Sequence, residues 1–440
     1  MKKNVFAPFL AAALAVSLTG CGSSDSSSNN SGGGSTDKLI VNIWDNNQRE
    51  GLQKIADEWS ADSGVAVQIN VIDWDNYWTL LEAGASGGEM PDVFWMHSNT
   101  AQLYMENDLL LPLDDYIKAD SAIDLSNYYE GVVELYKRSD NGVQYALPKD
   151  HDTIALIYNK AIFDKYGVEY PNDDWTWEDL RDAAAAITEA GKAEGIYGYA
   201  LNTTNNQDGW YNVVYDYGAK IITDDHKGTT IGSDEGKAAM EMVRQLLEVA
   251  APQTTVAETG TDSLFKSGLT AMISQGSWMI NSFYTAENAS DYAWAMLPYA
   301  DVNGNGKCDS GERYSAYNGL GWAASYKTAD PDAAYSLISY FCAEKGQKEQ
   351  AELGVTMGGM KGVSEAFSEA FPGMDVSAFV RAEEEGDLFF RPYTRKTTIW
   401  EDGIQQDAFL AAWQNPTDKD LMARACEQAQ QIIDDAIAAE

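Results

Sequence analysis

The chain has 440 residues, which is too long for one ordinary hydrophobic core and indicates two domains or lobes. Apolar residues make up 45% of it, so there is ample material for packed cores. The 30 Lys and Arg against 68 Asp and Glu give a net charge of −38, and such a surface repels phosphate backbones and anionic lipid headgroups. We therefore expect no nucleic-acid partner, and any membrane attachment needs a device other than charge.

The N-terminus carries the pattern of an export signal. Lys2 and Lys3 precede a largely apolar run at 6–18, which is shorter than the ~20 residues that a membrane-spanning helix needs. We therefore predict a signal peptide over residues 1–20. The run ends in small residues directly before Cys21, an arrangement that resembles the bacterial lipobox, whose cysteine is lipidated and begins the mature chain. The alternative is an ordinary signal peptide followed by a chance cysteine.

The residues after this cysteine favour the lipoprotein interpretation. Residues 22–37 are almost wholly Gly, Ser, Asn and Asp, a composition that cannot bury a core and is typical of a flexible tether. Two acyl chains on one cysteine suffice for stable anchoring. We predict that residues 21–37 form a lipidated cysteine and a tether, and that the folded body lies outside the cell membrane, held to it only through the lipid.

The mature chain alternates strand and helix patterns. Apolar residues that are continuous or alternate predict strands at 38–44, 65–71 and 93–96. Apolar residues at helical spacing predict helices around 52–59 and 77–81. This β-α-β-α-β order indicates an α/β architecture.

Later helices have recognisable starts. Thr176 is a predicted N-cap because an acidic residue follows three positions on. Asp330 and Pro331 begin another helix as its cap and first residue, and residues 421–437 form a predicted amphipathic helix. Beyond the tether no low-complexity linker separates two domains, so we expect the lobes to be joined by crossing strands.

Three cysteines follow the tether, an odd number without CxxC spacing, so the sequence does not indicate a disulfide framework. Cys342 and Cys426 lie on apolar helical faces and are predicted to be small core residues. Cys308 lies in a loop with a different pattern.

That loop, 301–312, matches the calcium-loop pattern D-x-[DN]-x-[DN]-G-x5-E in full. Gly306 provides the sharp turn and Glu312 the closing carboxylate. Cys308 replaces the usual aliphatic residue, and the flanks have strand or loop patterns instead of paired helices, so the alternative is an Asn-Gly turn cluster. We predict a structural calcium ion, with Lys307 contributing its carbonyl oxygen. The predicted ligands are Asp301, Asn303, Asn305, Lys307, Asp309 and Glu312.

Four segments occur in an order that resembles a known family. They are residues 88–97, 146–160, 265–278 and 319–331. Together they are similar to bacterial extracellular solute-binding protein family 1, whose best-known members bind maltose and related oligosaccharides for ABC transporters. The resemblance covers the chain from about residue 38 to its end.

The resemblance implies a two-lobed α/β fold of the periplasmic-binding-protein type II, with a ligand cleft that closes by hinge motion. Lobe one is predicted to hold residues 38–148 and 318–355, and lobe two residues 149–317 and 356–440. It also implies a sugar or oligosaccharide ligand, ABC permease subunits as partners, no enzymatic activity and a monomeric state.

Sugar recognition needs flat aromatic faces and fixed polar groups. Asp45 and Asn46 end the first predicted strand, where α/β sheets present ligand groups; their alternative role is a helix N-cap. By resemblance, these two residues match the family's polar loop, and Trp95 and Trp278 match its aromatic positions. The full set of predicted contacts is Asp45, Asn46, Trp95, His97, Ser98, Asp150, Trp210, Tyr211, Trp278, Trp322, Tyr393 and Arg395, and for all of them the alternative is burial in a core.

Two rival functions stay open. The G-x-S-x-G match at 84–88 follows a helical pattern and precedes a strand, the reverse of a nucleophile elbow, so we predict a loop there. Paired carboxylates for glycoside hydrolysis remain an alternative among 68 acidic residues. A binding protein for a peptide or polyamine is the nearer alternative, because cationic ligands suit the acidic charge.

Overall fold

The computed structural model describes residues 37–440. The predicted signal peptide, Cys21 and residues 22–36 of the predicted tether lie outside the described residues.

Residues 37–440 contain ten strands: β1 Lys38–Ile43, β2 Ala66–Val71, β3 Val93–Met96, β4 Ala146–Pro148, β5 Ile154–Asn159, β6 Met272–Gly276, β7 Tyr292–Met296, β8 Tyr314–Tyr317, β9 Gly321–Ala324 and β10 Asp387–Phe390. The α-helices are α1 Asn46–Ser63, α2 Trp74–Gly87, α3 Ser98–Glu106, α4 Asp114–Ala119, α5 Glu130–Leu135, α6 Lys160–Tyr166, α7 Trp177–Gly191, α8 Tyr211–Asp216, α9 Asp234–Val249, α10 Gln253–Thr259, α11 Thr261–Lys266, α12 Ile280–Tyr284, α13 Pro331–Cys342, α14 Glu344–Glu352, α15 Ser364–Glu369, α16 Ser377–Glu384, α17 Thr397–Gly403, α18 Leu410–Gln414 and α19 Lys419–Ala438. Short 3-10 turns lie at Leu125–Asn127, Lys192–Glu194, Ser277–Met279 and Ala289–Asp291, and Ile404–Phe409 is π-helical.

The predicted β-α-β-α-β order of the N-terminal region is confirmed. Asp45 accepts a hydrogen bond from the Asn47 N–H and caps α1, a contact worth about 1 kcal/mol to a helix. The periodic apolar residues of α1, which include Leu52 and Trp59, are buried. The predicted caps at Thr176 and Asp330 are also present.

The sheet of lobe one has the strand order β2-β1-β3-β9-β4. Its first three strands are parallel, whereas β9 is antiparallel to both β3 and β4. The carboxyl ends of β1, β3 and β4 and the amino end of β9 therefore meet at one edge. In α/β sheets, ligands bind at this kind of edge.

Lobe two contains two smaller sheets. β6 and β7 flank β5 in antiparallel pairs, and β8 pairs in parallel with β10. The helices α7, α8, α9 and α19 pack on this region around a core that includes Trp177, Trp210 and Trp400.

The predicted lobe boundaries stay a prediction. The hydrophobic cores show which residues near the boundaries pack together. One core of lobe one joins β1, β3 and β9 with α13, and it also takes in Met360 and Val363 from beyond the predicted boundary at 355. Cys342 and Cys426 are buried as predicted, and Cys308 is exposed.

Three crossing segments meet between the lobes. Asp152 forms an isolated β-bridge with Asn318, and Asp150 forms one with Gly358. The approach is so close that a Cβ on Gly319 would lie 2.3 Å from the backbone oxygen of Asp150. The lobes are thus joined by paired backbone, as the absence of a linker in the sequence predicted.

The prediction of a loop at 84–88 was wrong. Residues 84–87 form the last turn of α2, and Gly88 ends it in the left-handed conformation with φ of 81°. A helix end has none of the geometry of a nucleophile elbow. Within residues 37–440, no helix has the length and apolar character needed to cross a membrane.

Candidate functional site

A cleft of about 710 Å³ lies between the two lobes and the segments that join them. Side chains from both lobes line it, so its shape depends on their relative position. The lining residues are Trp44, Asp45, Gln48, Trp74, His97, Asn99, Asp150, Asp152, Thr204, Asn205, Gln207, Trp278, Met279, Asn318, Leu320, Arg391, Thr398, Glu401, Asp402 and Gln405.

The sheet of lobe one explains why polar groups converge here. Asp45 follows β1, His97 follows β3, Asp150 follows β4, and Asn318 precedes the antiparallel β9. All four positions lie at the same sheet edge, because β9 runs in the opposite direction to β3. The fold therefore places groups from distant sequence positions on one surface.

Aromatic rings form part of both walls. In lobe one, the Trp44 ring lies 5.2 Å from Trp74 and 4.9 Å from the buried Trp95, and Trp74 remains 41% exposed at the cleft. In lobe two, Trp278 packs partly on the core beside Gly276. A Cβ on Gly276 would lie 1.9 Å from the Trp278 ring, so the glycine is needed for this ring position. Such rings match the C–H face of a pyranose.

His97 is a neutral, fixed hydrogen-bonding group. Burial and the nearby positive charge of Arg391 lower its pKa to about 3. Its Nε2 lies 3.1 Å from Asn318 Nδ2 and its Nδ1 lies 2.9 Å from Asn99 Oδ1. The Nδ1 atom also accepts from the Asn99 backbone N–H at 3.3 Å and so caps α3.

Asn318 connects both lobes at the base of the cleft. Its Oδ1 accepts a hydrogen bond from Ser98 Oγ at 2.9 Å in lobe one. Its Nδ2 also donates to Gln207 Oε1 at 3.2 Å in lobe two. Asn318 is 2% exposed and precedes β9, so one side chain joins a crossing segment to the two walls.

The Asp150 carboxylate is used by the fold. It forms an ion pair with the fully buried Lys149. It also accepts hydrogen bonds from the Leu320 N–H at 2.6 Å and from Thr356 Oγ1 at 3.0 Å. These contacts tie the first crossing segment to the other two.

Asp152 has a different environment. Burial and the nearby charge of Asp150 raise its pKa to about 7, although Ser277 Oγ donates to its Oδ1 at 2.7 Å. The cleft therefore contains a carboxyl group whose proton equilibrium lies near neutral pH.

Arg391 and Glu401 form a buried ion pair at the lobe two wall. Arg391 Nη2 donates to both carboxylate oxygens of Glu401, at 2.9 and 2.8 Å. Arg391 Nε and Nη1 are buried without a partner among the described residues. The positive charge of Arg391 is therefore balanced by the negative charge of Glu401 within the same wall.

The structure brings several of the predicted contact residues together. Asp45, His97, Asp150 and Trp278 line the cleft, and Ser98 lies behind it through its bond to Asn318. Asp45 also forms the helix cap that was its alternative role, so the two interpretations are compatible. Asn46 begins α1 and is not among the lining residues.

The other predicted residues lie elsewhere. Trp95, Trp210, Tyr211 and Trp322 are fully buried, and their positions do not support stacking on a ligand. Tyr393 lines a second crevice of about 620 Å³ formed by α5 and the residues around β10. The exposed Arg395 forms an ion pair with Glu106 of lobe one.

Sequence reasoning missed Trp74, Gln207, Asn318, Arg391 and Glu401 as lining residues. Trp74 could have been found, because it directly follows the turn after the second predicted strand. Asn318 precedes a glycine-rich strand start, which is a weaker signal. Arg391 and Glu401 carry no local pattern that distinguishes them from other charged residues.

The predicted calcium loop connects β7 to β8. The flanks are strands, as predicted. Asp301 accepts from the N–H groups of Asn305 and Gly306, and the amides of Asn303 and Asn305 donate to Asp309 Oδ2 at 2.9 and 2.7 Å. The charges of these carboxylates are thus balanced by N–H donors, and no group of three His, Cys, Asp or Glu in metal-binding geometry occurs in residues 37–440.

Comparison with known proteins identifies one protein family that this chain matches. The model described as bacterial extracellular solute-binding protein matches residues 45–348. The aligned region spans 58% of the length of the first curated relatives, which are putative binding proteins of Brucella.

Other relatives differ in what their names say they bind. A galactooligosaccharide-binding protein of Bacillus subtilis is 23% identical over 363 residues, 80% of this chain and 79% of that protein. An sn-glycerol-3-phosphate-binding periplasmic protein of Rhizobium meliloti is 25% identical over 190 residues, 42% of this chain and 44% of that protein. Among solved structures, an ABC substrate-binding protein from Listeria monocytogenes in complex with cycloalternan matches with a TM-score of 0.78 at 21% identity, covering 91% of this chain and 98% of that one. The similarity extends over both lobes and shows a two-lobed fold.

Proposed function

Since this chain belongs to the bacterial extracellular solute-binding protein family, we propose that it captures a sugar or oligosaccharide between its lobes and delivers it to an ABC importer. The observation that carries this proposal is the cleft itself. Aromatic rings lie on both of its walls, at Trp74 and Trp278, between fixed carboxylates, amides and a neutral imidazole. Flat apolar faces beside oriented polar groups are what a pyranose requires.

The names of similar proteins support a carbohydrate ligand. The Bacillus subtilis relative is named for galactooligosaccharides, and the Listeria monocytogenes structure holds cycloalternan. The Rhizobium meliloti relative is named for a phosphorylated polyol, so this family also binds ligands of another charge class.

The proposed role is binding without turnover. Both oxygens of the Asp150 carboxylate are engaged by the crossing segments, which leaves this residue unsuited to acid–base catalysis. Asp152 lies beside it with a pKa of about 7. The enzymatic alternative is glycoside hydrolysis by a pair of carboxyl groups, and the glycan test below distinguishes it from binding.

We propose that the protein is located at the outer face of the cell membrane, where it is held through lipidated Cys21. The proposed oligomeric state is a monomer. The small residues before Cys21 and the polar residues after it support this. Replacement of Cys21 by Ala is expected to abolish incorporation of labelled fatty acid into the protein, and incorporation by the variant at the wild-type level would refute lipidation at Cys21.

We also propose that loop 301–312 holds a structural calcium ion. The sequence pattern supports it, as does the proximity of the Asn303 amide to Asp309 Oδ2, at 2.9 Å. Rotation of an Asn amide by half a turn exchanges its N–H donors for an oxygen, so the groups that now balance the carboxylates would become ligands.

A glycan panel tests the proposed function. The folded protein is mixed with neutral mono- and oligosaccharides, and its melting temperature is recorded with each. A true ligand at a hundredfold excess over Kd adds about 2.7 kcal/mol to the free energy of unfolding and so raises the melting temperature. Chromatography of the mixtures after incubation is expected to recover the sugar unchanged.

Two exposed aromatic residues provide matched variants. Trp74→Ala removes a cleft ring that is 41% exposed, and Tyr326→Ala removes a ring that is 47% exposed outside the cleft. We expect the first to lose most of the ligand-induced shift and the second to keep it. Cleavage products, or stabilisation by a peptide or polyamine but by no sugar, would refute the proposal.

A further inference from the structure

We propose that the cleft selects uncharged sugars against sugars that carry phosphate or carboxylate, and that Asp45 and Glu401 set this selection. The inference rests on the proposed sugar-binding function and adds the charge class of the ligand. It concerns residues that line the cleft and the cations beside them.

Carboxylates dominate the walls. Asp45, Asp150, Asp152, Glu401 and Asp402 all line the cleft. Among the described residues that line it, Arg391 is the sole Lys or Arg. An anionic group that enters therefore meets an excess of like charge, which costs binding energy.

The cations present are already matched. Arg391 Nη2 donates to both oxygens of Glu401, and Arg391 Nε and Nη1 are buried. Although Nε and Nη1 have no partner among the described residues, both atoms are buried, so neither is exposed to a phosphate or carboxylate in the cleft. Lys149 is fully buried and ion-paired with Asp150.

The start of α1 is closed to anions as well. Helix N-termini bind phosphate because their free N–H groups point outward. Here the carboxylate of Asp45 occupies that position, accepting from the Asn47 N–H at 2.8 Å and from Gln48 Nε2 at 3.2 Å. The chain's own negative group stands where an anionic ligand would bind.

Three of the lining carboxylates form no salt bridge. No described Lys, Arg or His forms an ion pair with Asp45, Asp152 or Asp402, in contrast to the salt bridges of Asp150 and Glu401. Hydroxyl groups of a neutral sugar donate well to a carboxylate such as that of Asp402, because hydrogen bonds to charged acceptors are the strong ones. The same arrangement therefore favours sugar hydroxyls and disfavours anions.

Matched ligand pairs test the selection by isothermal titration calorimetry. The pairs are galactobiose with digalacturonate, maltose with maltobionate, and glucose with glucose 6-phosphate; sn-glycerol 3-phosphate and inorganic phosphate are added singly. For the pair whose neutral member binds, we expect the wild type to bind that member at least about a hundredfold more tightly than the anion. The phosphates alone are expected to give no saturable heat.

The variant Asp45→Asn/Glu401→Gln tests the assignment. Asn keeps the cap of α1 because it is as good an N-cap residue as Asp, and Gln still accepts from Arg391. Removal of two negative charges is expected to lower the neutral-over-anion ratio at least about tenfold. The control, Asp57→Asn, removes one charge from an exposed position on the same helix outside the cleft and should leave the ratio unchanged.

The outcomes separate this inference from the function on which it rests. If the wild type binds a neutral sugar and its anionic partner equally well, the charge selection is refuted and the sugar-binding function stands. If it binds sn-glycerol 3-phosphate and no sugar of the panel, both are refuted. An unchanged ratio in the folded double variant would refute the roles of Asp45 and Glu401.

Discussion

Asp152 links the proton equilibrium of one side chain to the stability of the whole chain. It lies at the junction of the lobes, 5% exposed, between Asp150 and Ser277. Its pKa of about 7 lies above the ordinary value of 3.8, so between these values the native state binds more protons than the unfolded state. Stability contributed by the protonated form is therefore present at low pH and lost as pH rises through 7.

Replacement of Asp152 by Asn is expected to remove this pH dependence. Asn does not titrate, and its Oδ1 still accepts from Ser277. Through this group the free energy of unfolding of the wild type should fall as pH rises from 4 to 7, and that of the variant should fall much less. Urea unfolding at pH 5.0, 6.0 and 7.5 measures the difference.

His97 acts in the opposite direction, because its pKa is lowered to about 3 and its stabilising neutral form is lost as pH falls from 6.5. The comparison of Asp152→Asn with wild type cancels this contribution. Asp57→Asn, at an exposed position, should keep the wild-type slope. Equal slopes in Asp152→Asn and wild type would show that the Asp152 environment does not control its protonation.

At this scale, local patterns predicted polar contacts better than aromatic ones. Asp45 follows a predicted strand, where α/β sheets present ligand groups, and it lines the cleft. Trp210 follows the polar stretch 205–209 and was among the predicted contacts, but Asn206 Oδ1 accepts from its indole Nε1 at 3.0 Å and the ring is buried in the core. Such an inward turn depends on long-range packing with Phe409 and Trp413, which no local pattern reveals.

Among the elements, the loop between β7 and β8 is connected to the cleft along the chain, through β8. It ends at Glu312, which is 3% exposed and whose backbone oxygen accepts from the Ala300 N–H at 2.8 Å. Strand β8 follows directly and leads to Asn318 at the base of the cleft. A bound cation would therefore stiffen the segment that delivers Asn318.

Calcium is expected to bind to this loop and to raise the melting temperature. Isothermal titration with CaCl₂ after chelation of the protein measures binding, and the same samples give the melting temperature. Asp301→Asn removes a charged ligand and should abolish both effects, since calcium prefers charged oxygen ligands. Asp174→Asn, an exposed change outside the loop, should not. Absence of heat and of any change in melting temperature in the wild type would refute calcium binding.

Elements were predictable where local chemistry decides them. The capping box at Thr176 and Asp179 is both a sequence pattern and an observed pair of hydrogen bonds. The strand order was not predictable, because β9 reaches the sheet from a position more than 200 residues after β3 and pairs with it antiparallel. The glycines at 84–88 led to the wrong prediction of a loop where α2 ends, since helix ends and loops share a preference for glycine.

At the scale of the molecule, the lobes are connected both at the crossing segments and at the periphery. Backbone bridges at Asp152 and Asn318 fix the crossing segments. At the periphery, Arg395 of lobe two forms an ion pair with Glu106 of lobe one, with Nη2 and Oε2 2.9 Å apart. The peripheral pair is partly exposed, so it is worth well under the energy of a buried pair and can break during hinge motion.

Ligand binding is expected to make the molecule more compact. Small-angle X-ray scattering should show a smaller radius of gyration with the sugar found in the glycan panel than without it, because closure brings the lobes together. In the absence of sugar, Glu106→Gln should raise the radius of gyration by removing the interlobe pair. Glu194→Gln breaks a surface pair with Lys165 inside lobe two and should have no effect. An unchanged radius in the sugar complex would contradict closure.

The two-lobed fold came from the order of four family-like segments, since periodicity alone indicates only α/β structure. The lobe boundaries depend on where the chain crosses, and the packing of Met360 and Val363 with lobe one shows how such a boundary shifts with tertiary contacts.

The reversed direction of β9 places Asn318 in the hinge and in the binding wall at once. A substitution there alters the fit of the ligand and the ease of lobe rotation together, so affinity and the rates of capture and release cannot be tuned independently at this position. A fluorescent sugar sensor built on this protein would have the same constraint, because a change at Asn318 would alter both its dynamic range and its response time. Changes meant to adjust affinity alone are therefore best made in the cleft walls, at Trp74 or Trp278.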